Sequence, residues 1–408
     1  MLSPTPFSLI CALLLCLPLA IVFTITSPAS STTATTTTTT TVITISGDVT
    51  QNPETLLSTT LFSTGIHHRK MKNRSSISST SRNTTTSISP PPPARPPEDD
   101  ESLFRLASRV NSRPLPRRGP KKLAFMFLTN TPLPFAPLWE VYFNDTPKTL
   151  YTVYVHADPN FPYDPPFSGV FAHRVIHSKP TERYSPSLTS AARRLLAHAL
   201  LDDPSNAMFA LLSPSCIPLH SFNFTYRTLS ESKKSFIEIL ENEIGNYDRW
   251  AARGPDAMLP DVRLEDFRIG SQFWVLTRKH ARFVVSDRRF WSKFSLPCVR
   301  IDTCYPEENY FPTLLSMRDP RGCIPATLTH VNWTGSFDGH PRMYEAFEVG
   351  PDLIELMRNE RPRYGDDGTN GSDLSIFERH DPFLFARKFT PDAIQPLMSI
   401  ANDVLFKD

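Results

Sequence analysis

The stretch Lys122-Leu-Ala-Phe-Met-Phe-Leu128 decides the fold class. Its apolar run from Leu123 to Leu128 is too short for an ordinary helix and suits a strand buried on both faces. Working outward, Phe135, Leu138, Trp139 and Tyr142 recur at helical spacing, and Leu150 to His156 reads as a second strand. Val170 to Ile176 is a third candidate strand. Ser185 then offers an N-cap and Pro186 a first-turn proline for a helix with apolar positions Leu188, Ala192, Leu195 and Ala199, and Met208 to Leu212 follows as a strand. This alternation predicts an α/β domain with a mostly parallel sheet covered by helices, binding ligands beyond the carboxyl ends of its strands.

That domain is expected to run from 121 to 408, because nearly all Trp, His and aromatic residues lie there. Upstream, 26–120 is rich in Thr, Ser and Pro, with an unbroken Thr35 to Thr41 run and four prolines from Pro90 to Pro93. Such a chain buries too little apolar surface to offset its conformational entropy, so it reads as a disordered, extended stem. The cluster Glu98-Asp99-Asp100-Glu101 falls in this stem as a solvated linker. Phe7 to Ile25 carries no charge and is long enough to cross a bilayer. A cleaved secretory signal, with Pro28-Ala29-Ser30 as its processing site, competes with a retained anchor; the length favours the anchor. Residues 1–6 are then a cytosolic tail, although no Lys or Arg lies near enough to orient the segment by charge.

Six N-glycosylation sequons, at Asn73, Asn83, Asn144, Asn223, Asn332 and Asn370, all follow the apolar segment and point to a lumenal location. Cys11 and Cys16 lie within the anchor. Cys216, Cys298, Cys304 and Cys323 remain, an even number that allows three disulfide connectivities and fits no zinc spacing. A net charge of +2 offers no concentrated basic face and argues against nucleic acid as partner.

No phosphate-binding P-loop, dinucleotide fingerprint or nucleophile elbow occurs. The folded region also lacks an Asp-x-Asp pair to hold a divalent ion on a diphosphate, so no metal and no cofactor is expected. Asp158 stands where a strand ends, suited to accept hydrogen bonds from a ligand or to organise a turn. Glu307 and Glu308 follow Pro306 in the first turn of a helix, a position that the macrodipole alone favours. Arg387 and Lys388 are either a solvated pair or a cradle for phosphate oxygens.

Taken in order, Lys122-Leu-Ala-Phe-Met-Phe-Leu, Tyr154-Val-His-Ala-Asp158, Leu211-Leu-Ser-Pro-Ser-Cys-Ile-Pro-Leu, Gly270-Ser-Gln-Phe-Trp-Val-Leu-Thr-Arg-Lys-His, Cys304-Tyr-Pro-Glu-Glu and Phe385-Ala-Arg-Lys-Phe resemble the core-2/I-branching β-1,6-N-acetylglucosaminyltransferases, glycosyltransferase family 14, in their plant branch. The resemblance spans residues 121 to 408 and implies a GT-A-like fold in the Golgi lumen behind a transmembrane helix. It implies Glu308 as catalytic base, the last acidic residue of a Ser-Pro-Asp-Glu segment that here reads Tyr305-Pro306-Glu307-Glu308. Asp158 would lie on the uridine side of the donor, and Gly270 and Ser271 would support the donor site by close backbone approach. Lys388 would bind the diphosphate beside Arg387, with Arg363, Arg361 and Arg379, in that order, as candidates for a partner arginine. Trp333 would face the acceptor sugar together with Glu307, although the sequon at Asn332 would crowd that pocket if occupied.

The function implied is metal-independent, inverting transfer of N-acetylglucosamine or glucuronic acid from a UDP-sugar to a glycan or glycoprotein acceptor. The alternative is a catalytically inactive glycan-binding or scaffold glycoprotein on the same fold. A hydrolase is disfavoured, since nothing beyond Glu307 and Glu308 suggests carboxylates flanking a scissile bond.

Overall fold

The computed structural model describes residues 97–112, 119–336, 340–366 and 378–408. The expected tail 1–6, the anchor 7–25 and most of the stem lie outside them, as do Asn73, Asn83 and Asn370. Among the described residues no helix is long and apolar enough to cross a membrane.

The stem expectation is corrected at its C-terminal end. Asp100–Ala107 forms helix α1, capped by the Asp99 side chain, which accepts the Ser102 N–H at 2.7 Å. Leu103 and Ala107 on its inner face are fully buried. Asp100 pairs with both Lys179 and the buried Arg194, so the acidic cluster caps and anchors a helix instead of forming a solvated linker.

The decisive strand is β1 (Lys122–Thr129). Its side chains alternate between two cores, as a strand's period of two requires: Leu123, Phe125 and Phe127 enter one, Ala124, Met126 and Leu128 the other. Helix α2 (Ala136–Phe143) buries Leu138, Trp139, Tyr142 and Phe143 on the first face. β2 (Tyr151–Ala157) pairs with β1 in parallel, Leu123 opposite Tyr151. On the second face lies α3 (Ser187–Asp202), whose Ser187 N–H is accepted by Ser185 Oγ at 3.2 Å while Pro186 occupies the N-cap position itself.

The third expected strand, Val170 to Ile176, does not form. Gly169 has a φ of +54° and Val170 donates its N–H to Glu140 Oε1 at 2.6 Å, which winds Gly169–Phe171 into a 3-10 turn. Only Val175 bridges to β2, at Val155.

β3 (Asn206–Leu212) joins the other edge of β1 in parallel. β4 (Ile217–Pro218), α4 (Phe222–Glu231), β5 (Ser235–Phe236), α5 (Asn246–Trp250) and β6 (Val275–Thr277) follow. Then come α6 (Arg278–Ser286), α7 (Trp291–Phe294), α8 (Pro306–Arg318), β7 (Cys323–Ile324), β8 (Thr329–Val331), α9 (Pro351–Asn359), β9 (Phe385–Arg387) and α10 (Ile394–Ser399). The main sheet runs β2-β1-β3-β6-β5-β7. It is mixed: β6 is antiparallel to both of its neighbours, and the other pairings are parallel.

A smaller sheet, β4-β9-β8, matters for the site because it sets His330 against Ala386 and Val331 against Arg387. Trp139, from the core, donates its indole N–H to the Cys216 carbonyl at 3.2 Å and so fixes the turn between the two sheets.

Candidate active site

A cavity of about 780 Å³ opens where the parallel strands end. Thr129 at the end of β1 and Asn130 after it, Ser213 after β3 and Glu238 after β5 line it, as expected for an α/β sheet.

One wall is acidic. Pro306 starts α8 and puts Glu307 and Glu308 in its first turn. Just before it, Cys304 is cross-linked to Cys298, while Cys216 and Cys323 remain buried thiols, so the four cysteines form one bridge and none of the fully paired connectivities. Glu308 is partly exposed, and its Oε2 accepts a hydrogen bond from Arg249 Nη1 at 2.7 Å. Arg249, on α5, also lies over the Tyr305 ring at 4.6 Å. Glu307 lines the same cavity but is only 5% exposed, and its Oε2 has no partner. Burial pushes its carboxyl up to about 8, helped by the neighbouring Glu308 charge. Glu238 behaves similarly, burial lifting it to about 7 against the pull of Arg363.

Gly270 locks these groups together. Its N–H donates to the Glu308 carbonyl at 2.9 Å, and a Cβ there would sit 2.1 Å from the Glu238 carbonyl oxygen. Only glycine permits that approach. Gly270 thus lies against the backbone of both Glu238 and Glu308.

Cations line the same cavity. β9 delivers Arg387 and Lys388 to the cavity, where Arg387 lies over the Phe273 ring at 4.4 Å and its buried Nε has no partner. Arg363 and Arg361 also line it, with Arg363 Nη1 held by Glu243 Oε1 at 2.7 Å. Arg379 does not; it is paired to Asp381, which removes it from the candidate arginines.

Asp158 is placed differently from the sequence expectation. It is fully buried, its Oδ1 accepts the Asn160 N–H at 2.9 Å, and its Oδ2 accepts the Thr181 N–H at 2.7 Å and hydroxyl at 2.6 Å. Burial raises its pKa, but these donors outweigh that and hold it below the usual carboxylate range. Asp158 itself is not among the residues lining the cavity, whereas Thr181, which it holds, is.

Trp333 lines the cavity mouth with 56% of its surface exposed. Beside it, Asn332 is half-buried and its Oδ1 accepts the Thr334 N–H at 2.8 Å, a local turn within the sequon. Asn144 and Asn223 are exposed at helix ends.

Sequence reasoning missed Glu238, Arg249, and the contact between Arg183 and His340 across the mouth. No motif marks these residues; only the fold brings them to one cavity. Among the described residues no three His, Cys, Asp or Glu side chains gather as a metal site.

A partly exposed Glu308 held by Arg249, a buried Glu307 and a cluster of guanidinium and ammonium groups in one cavity suit removal of a hydroxyl proton and neutralisation of an anionic leaving group. The sequence profile described as "Branch: Core-2/I-Branching enzyme" matches residues 123–358, more than half of the chain. "Glycosyltransferase BC10" of Oryza sativa subsp. japonica is 30% identical over 326 residues, covering 72% of this chain and 80% of that protein. The chain belongs to the core-2/I-branching enzyme family of glycosyltransferases.

Proposed function

We propose that this glycosyltransferase uses a UDP-sugar, carrying N-acetylglucosamine or glucuronic acid, and transfers the sugar with inversion to a glycan or glycoprotein acceptor without a metal ion. The observation that carries this reading is that Glu308, Arg387 and Lys388 line the same cavity. Inversion needs a single carboxylate to take the proton of the attacking hydroxyl, and Glu308 is assigned that part because it lines the cavity, is partly exposed and is hydrogen-bonded by Arg249. Arg249 fixes its orientation. The departing diphosphate needs positive charge, which Lys388, Arg387 and Arg363 supply by charge-assisted hydrogen bonds. Trp333 offers an aromatic face to the acceptor ring at the mouth.

The chain is further proposed to be a single-pass type II protein of the Golgi membrane, anchored by 7–25 with the catalytic domain lumenal. The uncharged segment and the sequons that follow it support this topology. The test of the reaction is a panel of UDP-sugars offered to the purified protein with UDP release followed. Release from one donor, stimulated by an acceptor glycan, is expected. Binding of glycans with no UDP release from any donor would favour the inactive, glycan-binding alternative.

A further inference from the structure

Between α7 and α8 the chain makes a small cross-linked loop, Cys298 to Cys304, that touches both partners of the acidic wall. Its apolar side chains do not hold it in place: Val299 is 70% exposed and Ile301 63%. Polar ties do. The N–H groups of Val299 and Arg300 both donate to the Ala252 carbonyl, at 2.9 and 3.0 Å. Arg300 Nη1 pairs with Asp248 Oδ1 at 2.9 Å, and Thr303 Oγ1 donates to the Asp248 carbonyl at 3.4 Å. Asp248 and Ala252 flank Arg249 in sequence, so the loop grips the segment carrying Arg249 on both sides of it.

At its other end the loop runs directly into the base. Cys304 is fully buried, Tyr305 stacks under the Arg249 guanidinium, and the Tyr305 carbonyl accepts the Glu308 N–H at 3.0 Å. A single short ring of chain thereby sets the distance between α5 and the start of α8, the two elements that meet at the Arg249–Glu308 hydrogen bond.

We propose that the Cys298–Cys304 cross-link is a positioning element for the base: it braces α5 against α8 so that Arg249 orients the Glu308 carboxylate, and opening it lowers turnover while leaving donor binding intact. This rests on the reading of Glu308 as base. The donor side is separate, because Lys388 and Arg387 are delivered by β9 and not by this loop.

The experiment uses the full chain and compares wild type, Cys298→Ser/Cys304→Ser, Arg249→Ala, their combination, and Glu308→Gln. Turnover is read with UDP-N-acetylglucosamine and UDP-glucuronic acid, and affinity with UDP itself. The cysteine variant is expected to lose about tenfold in kcat, since small misplacements of a catalytic group are costly, and to keep UDP affinity within about twofold. Added to Arg249→Ala, the cysteine changes should cost nothing further, as expected for residues acting through one another.

Full kcat in the folded cysteine variant, a parallel loss of UDP affinity, or multiplying losses in the combined variant would each overturn the proposal. If the cysteine variant does not accumulate, reduction of the folded wild type by a phosphine followed by reoxidation gives the same readouts. Glu308→Gln separates the two levels: full activity there removes the base reading and the proposal with it. An inactive Glu308→Gln beside an unaffected cysteine variant removes only the bracing role.

Discussion

Glu307 and Glu308 are neighbours in sequence with opposite environments: Glu308 Oε2 is held by Arg249 at 2.7 Å, while Glu307 is buried with an Oε2 that has no partner. The pair divides into one carboxylate available to a substrate and one carboxyl that burial keeps protonated near neutrality. Glu308→Gln preserves shape and the contact with Arg249 but cannot accept a proton. Transfer should therefore drop by about a hundredfold or more with UDP affinity nearly unchanged. Glu307→Gln should lower transfer far less. Steady-state kinetics beside UDP titration check both, and reversed effects would exchange the roles of the two residues.

Glu307 also gives stability a pH dependence of known direction. Its carboxyl is raised by burial from 4.5 to about 8, so between those values the unfolded chain has lost the proton that the folded chain keeps. Stability then falls as pH rises through this window, by about 1.4 kcal/mol per pH unit at most for one such group, and levels off above it. Glu307→Gln removes the group, so its Tm should decline less steeply than wild type from pH 5 to pH 8. Parallel melting curves across that range would contradict the assignment.

At Gly270 the constraint is steric. A methyl group would stand 2.1 Å from the Glu238 carbonyl oxygen, a backbone atom that cannot swing aside. Gly270→Ala should displace the segment whose N–H holds the Glu308 carbonyl and lower both Tm and kcat. A variant with wild-type melting and turnover would show that the two backbones separate at little cost.

How much of this was legible follows from what each residue's surroundings consist of. β1 could be read because both of its faces are apolar and its neighbours in sequence are its own strand. Val170 to Ile176 misled because the contact that turns it, from Glu140, comes from thirty residues away. α1 was hidden inside a Ser- and Pro-rich region, although Leu103 and Ala107 lie at helical spacing behind an N-capping aspartate. Glu308 and Lys388, proposed from the resemblance, do line the cavity, whereas Glu238 and Arg249 lie in no motif and only the fold brings them there.

The stability of the domain should accordingly depend on α1. Leu103 is fully buried, and truncation of such a side chain typically costs about 2–5 kcal/mol. Leu103→Ala should lower Tm by several degrees, and a domain beginning at residue 121 should melt below one beginning at residue 97. Equal melting temperatures would mean that α1 adds nothing to the fold.

The cationic wall makes the remaining prediction. A leaving diphosphate develops charge that must be met, and the folded sequence has no Asp-x-Asp pair to bring a divalent ion to it. Lys388, Arg387, Arg363 and Arg361 line the same cavity as Glu308, and each charge-assisted hydrogen bond from such a group is worth about 1.5–3 kcal/mol. On the proposed reading these bonds form to the donor in both ground and transition states, so Lys388→Ala should weaken UDP binding and lower turnover together, unlike Glu308→Gln. Activity should persist in excess EDTA. Loss of activity in EDTA with full recovery on adding Mn²⁺, while Lys388→Ala binds UDP as wild type does, would assign the leaving-group charge to a metal ion instead of to this wall.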